Sequence, residues 1–182
     1  ENQAPTKALQ RPLVVKSGLV EMDHANDVCQ IAVVERHRGL GTVVNAFVSG
    51  FGYNVECAVA STVAHDSHHI IVVGTNHDDM AQAANTLSEI GGGVVVVSNG
   101  RELARVELVV AGLMSNEPAE IVAAKAEKMI AAMKACGCNL NNAFMQHSLL
   151  ALVVIPELRI SDMGLIDVRT FEKVDLFVQS SR

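Results

Sequence analysis

The sequence has no tryptophan, a single tyrosine and only five phenylalanines among its 182 residues. A core without aromatic bulk must be built from Val, Ile, Leu, Ala and Met. Such a core favours close packing of strands and helices over an aromatic ligand cage. Long apolar runs are also missing: none reaches the roughly 18–20 residues that a bilayer-spanning helix needs, so no membrane span is expected. Basic runs are absent too, and the net charge is −6. With few aromatics to stack on bases, neither nucleic acid nor an anionic membrane surface suits the chain as a partner. No signal-peptide pattern opens it. It begins at Glu1 rather than Met, as a processed or partial chain would.

Catalytic signatures are equally scarce. There is no Gly-x-Ser-x-Gly elbow, no His-x-His pair and no His-Glu-x-x-His helix. Gly39-Leu-Gly41 and Gly50-Phe-Gly52 are too short for a dinucleotide fingerprint. Gly91-Gly-Gly93 follows a helix and precedes a strand, the reverse of the order a phosphate cradle requires. All three read as turns and caps. Of the four cysteines, Cys29 and Cys57 lie within apolar runs and read as core. Cys136-Gly-Cys138 has no second pair at zinc-ribbon spacing. This usage suits a reduced, cytoplasmic setting.

What is present is apolar patterning. Hydrophobic residues make up 49% of the chain, and the length suits one domain (13–182) behind an entry linker (1–12). Strands are expected over 28–36, 43–49, 57–64 and 69–74. A helix is expected from about Asp78 to Ile90, capped by Asn76 or His77 and closed by Gly91, with Met80, Ala83, Ala84, Leu87 and Ile90 on one face. Asn99-Gly100 signals a hairpin between Val94–Ser98 and Glu102–Val110. A second helix, about Pro118 to Ala135, carries a buried stripe of Val122, Ala126, Met129, Ile130 and Met133, and Gly137 ends it. Together these predict an α+β fold: a mixed, largely antiparallel sheet flanked by helices.

One block departs from this patterning. Ala64-His65-Asp66-Ser67-His68-His69 sits between two apolar runs. Desolvating such groups costs several kcal/mol unless they are paired, hydrogen-bonded or bound. As a plain strand-connecting turn, its side chains would satisfy backbone groups. As a helical turn, it would bring His65 onto one face with His68 or His69. An aspartate can also orient a neighbouring imidazole for proton transfer or substrate contact. Three close ligands from one turn rarely complete a metal site, so no metal site is assigned within this chain. Glu35-Arg36-His37-Arg38 reads as a solvated or ion-paired strand end, Glu157 and Asp162 as loop carboxylates, and His147 as a hydrogen-bonded, partly buried residue.

Several segments, taken together, resemble a known family. They are Ile31-Ala-Val-Val-Glu-Arg-His37, Gly50-Phe-Gly52, Ala60-Ser-Thr-Val-Ala-His-Asp-Ser-His68, Ile71-Val-Val-Gly74, Asp79-Met-Ala81, Gly91-Gly-Gly93, Ala111-Gly-Leu-Met-Ser115 and Asp162-Met-Gly-Leu-Ile-Asp-Val168. In this order they resemble the C-terminal domain of the microbial adenine deaminases of the amidohydrolase superfamily. The resemblance implies hydrolysis of adenine to hypoxanthine and ammonia in purine salvage and adenine catabolism. Water would be activated by a two-metal centre of manganese or iron. In that family the metal ligands belong to a preceding (β/α)-barrel, which these residues do not contain. The chain alone is therefore expected to be inactive. Its partners would be the barrel of the same enzyme and adenine. Self-association into a homo-oligomer is expected if the face that packs on the barrel is left bare.

The resemblance also suggests that His65, Asp66 and His68 support catalysis at the barrel mouth, with Ser67 contacting substrate. The family usually has Asn where this chain has His69, so no role is carried onto that residue. The alternative is a non-catalytic scaffold or oligomerisation domain, with the block as an internal polar network.

Overall fold

The computed structural model describes residues 4–178, so the first three residues of the expected linker and the last four of the chain lie outside the described part. In chain order the elements are β1 (Val15–Lys16), β2 (Leu19–Val20), β3 (Val28–Val34), β4 (Val43–Ser49), β5 (Ala58–Ser61), β6 (Ile70–Gly74), α1 (His77–Ile90), β7 (Gly93–Ser98), β8 (Arg101–Glu107), α2 (Ala119–Ala135), α3 (Ala143–Leu149), β9 (Leu158–Ser161), β10 (Gly164–Asp167) and β11 (Glu172–Val174). A six-stranded sheet in the order β4-β3-β6-β5-β7-β8 forms the centre, with a small β11-β10-β9 sheet and a β1-β2 ribbon beside it.

The α+β reading holds. The sheet expected to be largely antiparallel is antiparallel at every registered pair among the described residues. The physical reason is the connectivity. β3–β4, β5–β6 and β7–β8 are sequence neighbours that pair directly, and α1 carries the chain from β6 past β5 to β7.

Period-two alternation sorts the side chains onto two faces. Ile31, Val33, Ile71, Val73, Val94 and Val96 join Met129, Met133 and Ile160 in one cluster, under α2 and the small sheet. Ala32, Ala58, Ala60, Ile70, Val72, Val95 and Val97 meet Met80, Ala83 and Leu87 of α1 on the other. Because both faces are covered, β6 and β7 are apolar nearly throughout rather than alternating. Small residues let α1 approach closely: a Cβ at Gly74 would lie 2.4 Å from the Met80 side chain.

The local signals act as their chemistry dictates. Asn76 caps α1 by accepting the Asp79 amide, and Gly91 ends it at φ +83°. Asn99 and Gly100 both adopt positive φ, the requirement of a two-residue type I′ hairpin. Asp79 fastens α1 to that hairpin by accepting the amides of Asn99 and Gly100 at 3.0 and 2.7 Å. After α2, the amides of Gly137 and Cys138 return to the carbonyls of Lys134 and Met133, a Schellman closure. Of the expected stripe of α2, Met129 and Met133 are buried, Val122 and Ala126 are half-buried and Ile130 is exposed, while Ala132 is buried instead. The helix turns its Ala132 side to the sheet, which swings Ile130 outward. The Cys136-Gly-Cys138 segment is part of the core with Cys29 and Cys57, and all four thiols are free and buried. No helix among the described residues is long and apolar enough to cross a membrane.

Candidate functional site

β5 stops at Ser61 instead of running to residue 64, and β6 starts at Ile70. The histidine block is the turn between them, and it is built as a rigid base with an open tip. Thr62 supports the base: its hydroxyl donates to the Gly112 carbonyl at 2.6 Å and accepts the Gly93 amide at 2.8 Å. The His65 amide donates to the Ser148 carbonyl at 3.2 Å, which ties the turn to α3. The His68 amide donates to the Ala64 carbonyl at 2.8 Å, and the Ala64 amide donates to His68 Nδ1 at 3.2 Å. His68 thereby holds φ +54°, a left-handed conformation uncommon outside glycine. Because Nδ1 accepts, the neutral ring carries its proton on Nε2.

A second layer comes from the end of β3, which lies beside the start of β6 because the two strands are antiparallel. Arg36 Nε donates to the His68 carbonyl at 2.6 Å, and its Nη2 donates to the Ala111 carbonyl at 2.9 Å. One guanidinium thus clamps the histidine turn to the 108–114 turn. His37 Nε2 donates to the Ser67 carbonyl at 2.6 Å. Glu35 was expected at a solvated or ion-paired strand end. Instead it is buried, and its carboxylate accepts the amides of His37, Arg38 and Leu40. The Leu40 and Arg38 amides in particular hold its pKa down at about 2. This loop fixes the backbone from which Arg36 and His37 reach across.

His69 closes the base. It is buried, its Nδ1 accepts the Arg36 amide at 3.4 Å, and its Nε2 faces Asp162 at 3.7 Å. Its ring lies 4.7 Å from that of His37. Burial pushes its pKa below the ordinary imidazole value, against the opposing pull of Asp162. The pKa of His68 is also lowered, first by burial and then by His65 and Arg36. The oxygen of an asparagine amide at position 69 could accept the Arg36 amide in place of Nδ1, but its shorter side chain does not extend to Asp162 as Nε2 does.

The tip is different. Asp66 and Ser67 are exposed and His65 is half-buried. Among the described residues no hydrogen bond engages the His65 ring, the Asp66 carboxylate or the Ser67 hydroxyl. The His65 ring stands edge-on to His68, 5.2 Å between centroids. Of the residues singled out from sequence, His65, Asp66 and Ser67 are therefore free to meet a ligand, while His68 spends at least one nitrogen on the turn itself. Arg36, His37 and Asp162 were missed as members of this cluster. Their density of polar atoms at strand ends was visible, but only strand pairing brings them here. Among the described residues no three His, Cys, Asp or Glu side chains group as a metal site.

His147 lies apart, fully buried rather than partly so. Its Nε2 is 2.9 Å from the Tyr53 hydroxyl, its ring meets Phe51 edge-on at 4.3 Å, and Nδ1 has no partner in the protein. Burial drives its pKa down to about 3.

A family model described as the adenine deaminase C-terminal domain matches residues 3–172. The protein named adenine deaminase 3 of Rhizobium meliloti (strain 1021) is 72% identical over 98% of this chain and 30% of its own length. The adenine deaminase of Mesorhizobium japonicum is also 72% identical, over 98% of this chain and 29% of its own length. That of Clostridium botulinum is 48% identical over 92% of this chain and 28% of its own length. The chain thus spans less than a third of the curated relatives it matches.

Proposed function

The chain belongs to the adenine deaminase C-terminal domain family, and from that premise we propose that it works as one part of a cytoplasmic enzyme that hydrolyses adenine to hypoxanthine and ammonia in purine salvage. The catalytic barrel, with its two manganese or iron ions to activate water, would be supplied by the portion of the enzyme this chain does not cover. In this reading the Ala64–His69 turn is lent to the barrel mouth. His65 and Asp66 orient adenine or pass a proton between water and the purine ring, and Ser67 contacts the base. The neutral His68 holds the turn in its reactive conformation while its ring faces His65.

The observation that carries this reading is the contrast between base and tip. Thr62, Arg36, His37, His68 and His69 hold the base with hydrogen bonds, yet the tip exposes Asp66 and Ser67. Pre-organisation of side chains that have no partner is what a positioned acid–base group needs. A polar network serving the fold alone would bury its members and bond each of them. His69 fits that description, and it supports a scaffold role for that residue.

The test is turnover in the full-length Rhizobium meliloti relative carrying this chain in place of its own matching region. His65→Ala and Asp66→Asn should each lower kcat/KM for adenine at least tenfold while the melting temperature stays within about 3 °C, since neither side chain is fully buried and such substitutions cost little stability. Wild-type turnover in both variants refutes the catalytic reading. The isolated chain should release no ammonia from adenine.

A further inference from the structure

The antiparallel order brings the ends of β3, β5 and β8 and the starts of β4, β6 and β7 to one end of the sheet. That end carries the histidine turn, and around it stands a rim of large apolar side chains in water. Leu40 is 57% exposed, Met114 60% and Met163 73%, and Val109, Val110 and Leu113 are each more than a third exposed. Scattered exposed hydrophobics are ordinary on a protein surface, but these six are not scattered. Leu40 closes the loop whose His37 binds the Ser67 carbonyl. Val109, Val110, Leu113 and Met114 flank Ala111 and Gly112, whose carbonyls are taken by Arg36 and Thr62. Met163 follows Asp162, the carboxylate beside His69. The Leu40 loop and the 109–114 turn are thus tied by hydrogen bonds to the histidine turn and its base, and Met163 adjoins the carboxylate that faces His69.

A polar centre flanked by exposed apolar side chains has the anatomy of an interface that shuts water out of a shared site. We propose that this loop end is the docking face for the remaining portion of the full-length enzyme, with Leu40, Val109, Val110, Leu113, Met114 and Met163 as its apolar contacts. The occupant follows from length: the relatives carry about 70% of their residues beyond the part this chain matches at 30%. That portion is covalently joined to the domain, so its effective concentration exceeds that of any separate partner. The inference rests on the domain reading above, not on a catalytic role for the turn.

Hydroxyl-radical footprinting tests it, because Met and Leu are modified in proportion to their exposure. The isolated chain is compared with the Rhizobium meliloti relative carrying this chain. Met114, Met163 and Leu40 should be modified at least fivefold more slowly in the joined protein, while Ile130, on the outer side of α2, changes by less than twofold. Equal modification of the rim in both proteins overturns the proposal. So does rim protection that appears in the isolated chain as its concentration rises, which assigns the face to a second copy. Footprinting reads contact whatever the turnover, so rim protection alongside wild-type turnover in both the His65 and Asp66 variants would refute the catalytic reading and leave this one standing.

Discussion

His147 should make the stability of this chain depend on pH from about 6.5 downward, beginning above the range where carboxylates titrate. In the folded state the ring is sealed in the core, with Nδ1 unpartnered and burial holding its pKa near 3. In the unfolded chain it titrates at the ordinary value of 6.5. Between these two values the unfolded chain binds a proton that the folded chain refuses, so stability is full above pH 6.5 and falls as pH drops toward 3. One proton is worth about 1.4 kcal/mol per pH unit, so going from pH 7.5 to 4.5 should cost about 2.5 kcal/mol from this residue alone. His68 and His69, whose pKa values are also lowered, act in the same direction. Glu35 and Asp167, both held near 2, lose their contributions only at lower pH. Urea denaturation followed by circular dichroism at pH 7.5, 6.5, 5.5 and 4.5 measures the slope. His147→Leu removes the titrating ring and should narrow the loss by about 2.5 kcal/mol, whatever its own effect at pH 7.5. Parallel pH profiles for the wild type and the variant would refute the reasoning.

Three further outcomes follow from the geometry. Gly93 has φ +145°, and a Cβ there would stand 2.1 Å from the Val106 carbonyl oxygen, so Gly93→Ala should destabilise by more than about 3 kcal/mol, seen as a lost or sharply lowered thermal transition. Arg36→Ala removes both carbonyl bonds of the clamp. It should cost about 1–3 kcal/mol and raise the hydrogen-exchange rate of the His68 amide, and Arg36→Lys should not restore it, because one ammonium cannot span both acceptors as a planar fork does. His69→Asn, whose oxygen can still accept the Arg36 amide, should keep the melting temperature within about 2 °C, whereas His69→Leu, which leaves that amide without its acceptor, should lose about 1–3 kcal/mol by the same measurement.

Sequence periodicity and local turn chemistry determined a large share of this protein. The caps at Asn76 and Gly91, the hairpin at Asn99-Gly100, the closure at Gly137 and the apolar strands all follow from interactions a few residues apart, which a sequence displays directly. The histidine turn was legible for the same reason: clustered titratable groups stand out between apolar runs. The phase of α2 was not, since Ile130 and Ala132 fit a helix equally well and only the sheet beneath selects between them. Nor was the strand order, which carries Arg36 and His37 to within hydrogen-bonding reach of residues 67 and 68 and sets Asp162 beside His69. Those contacts join residues thirty to ninety positions apart, and no local energy term records them. The sequence by itself determined where the titratable groups cluster. Tertiary structure alone decided which of them anchor and which are left open, because that depends on what each side chain finds across the sheet.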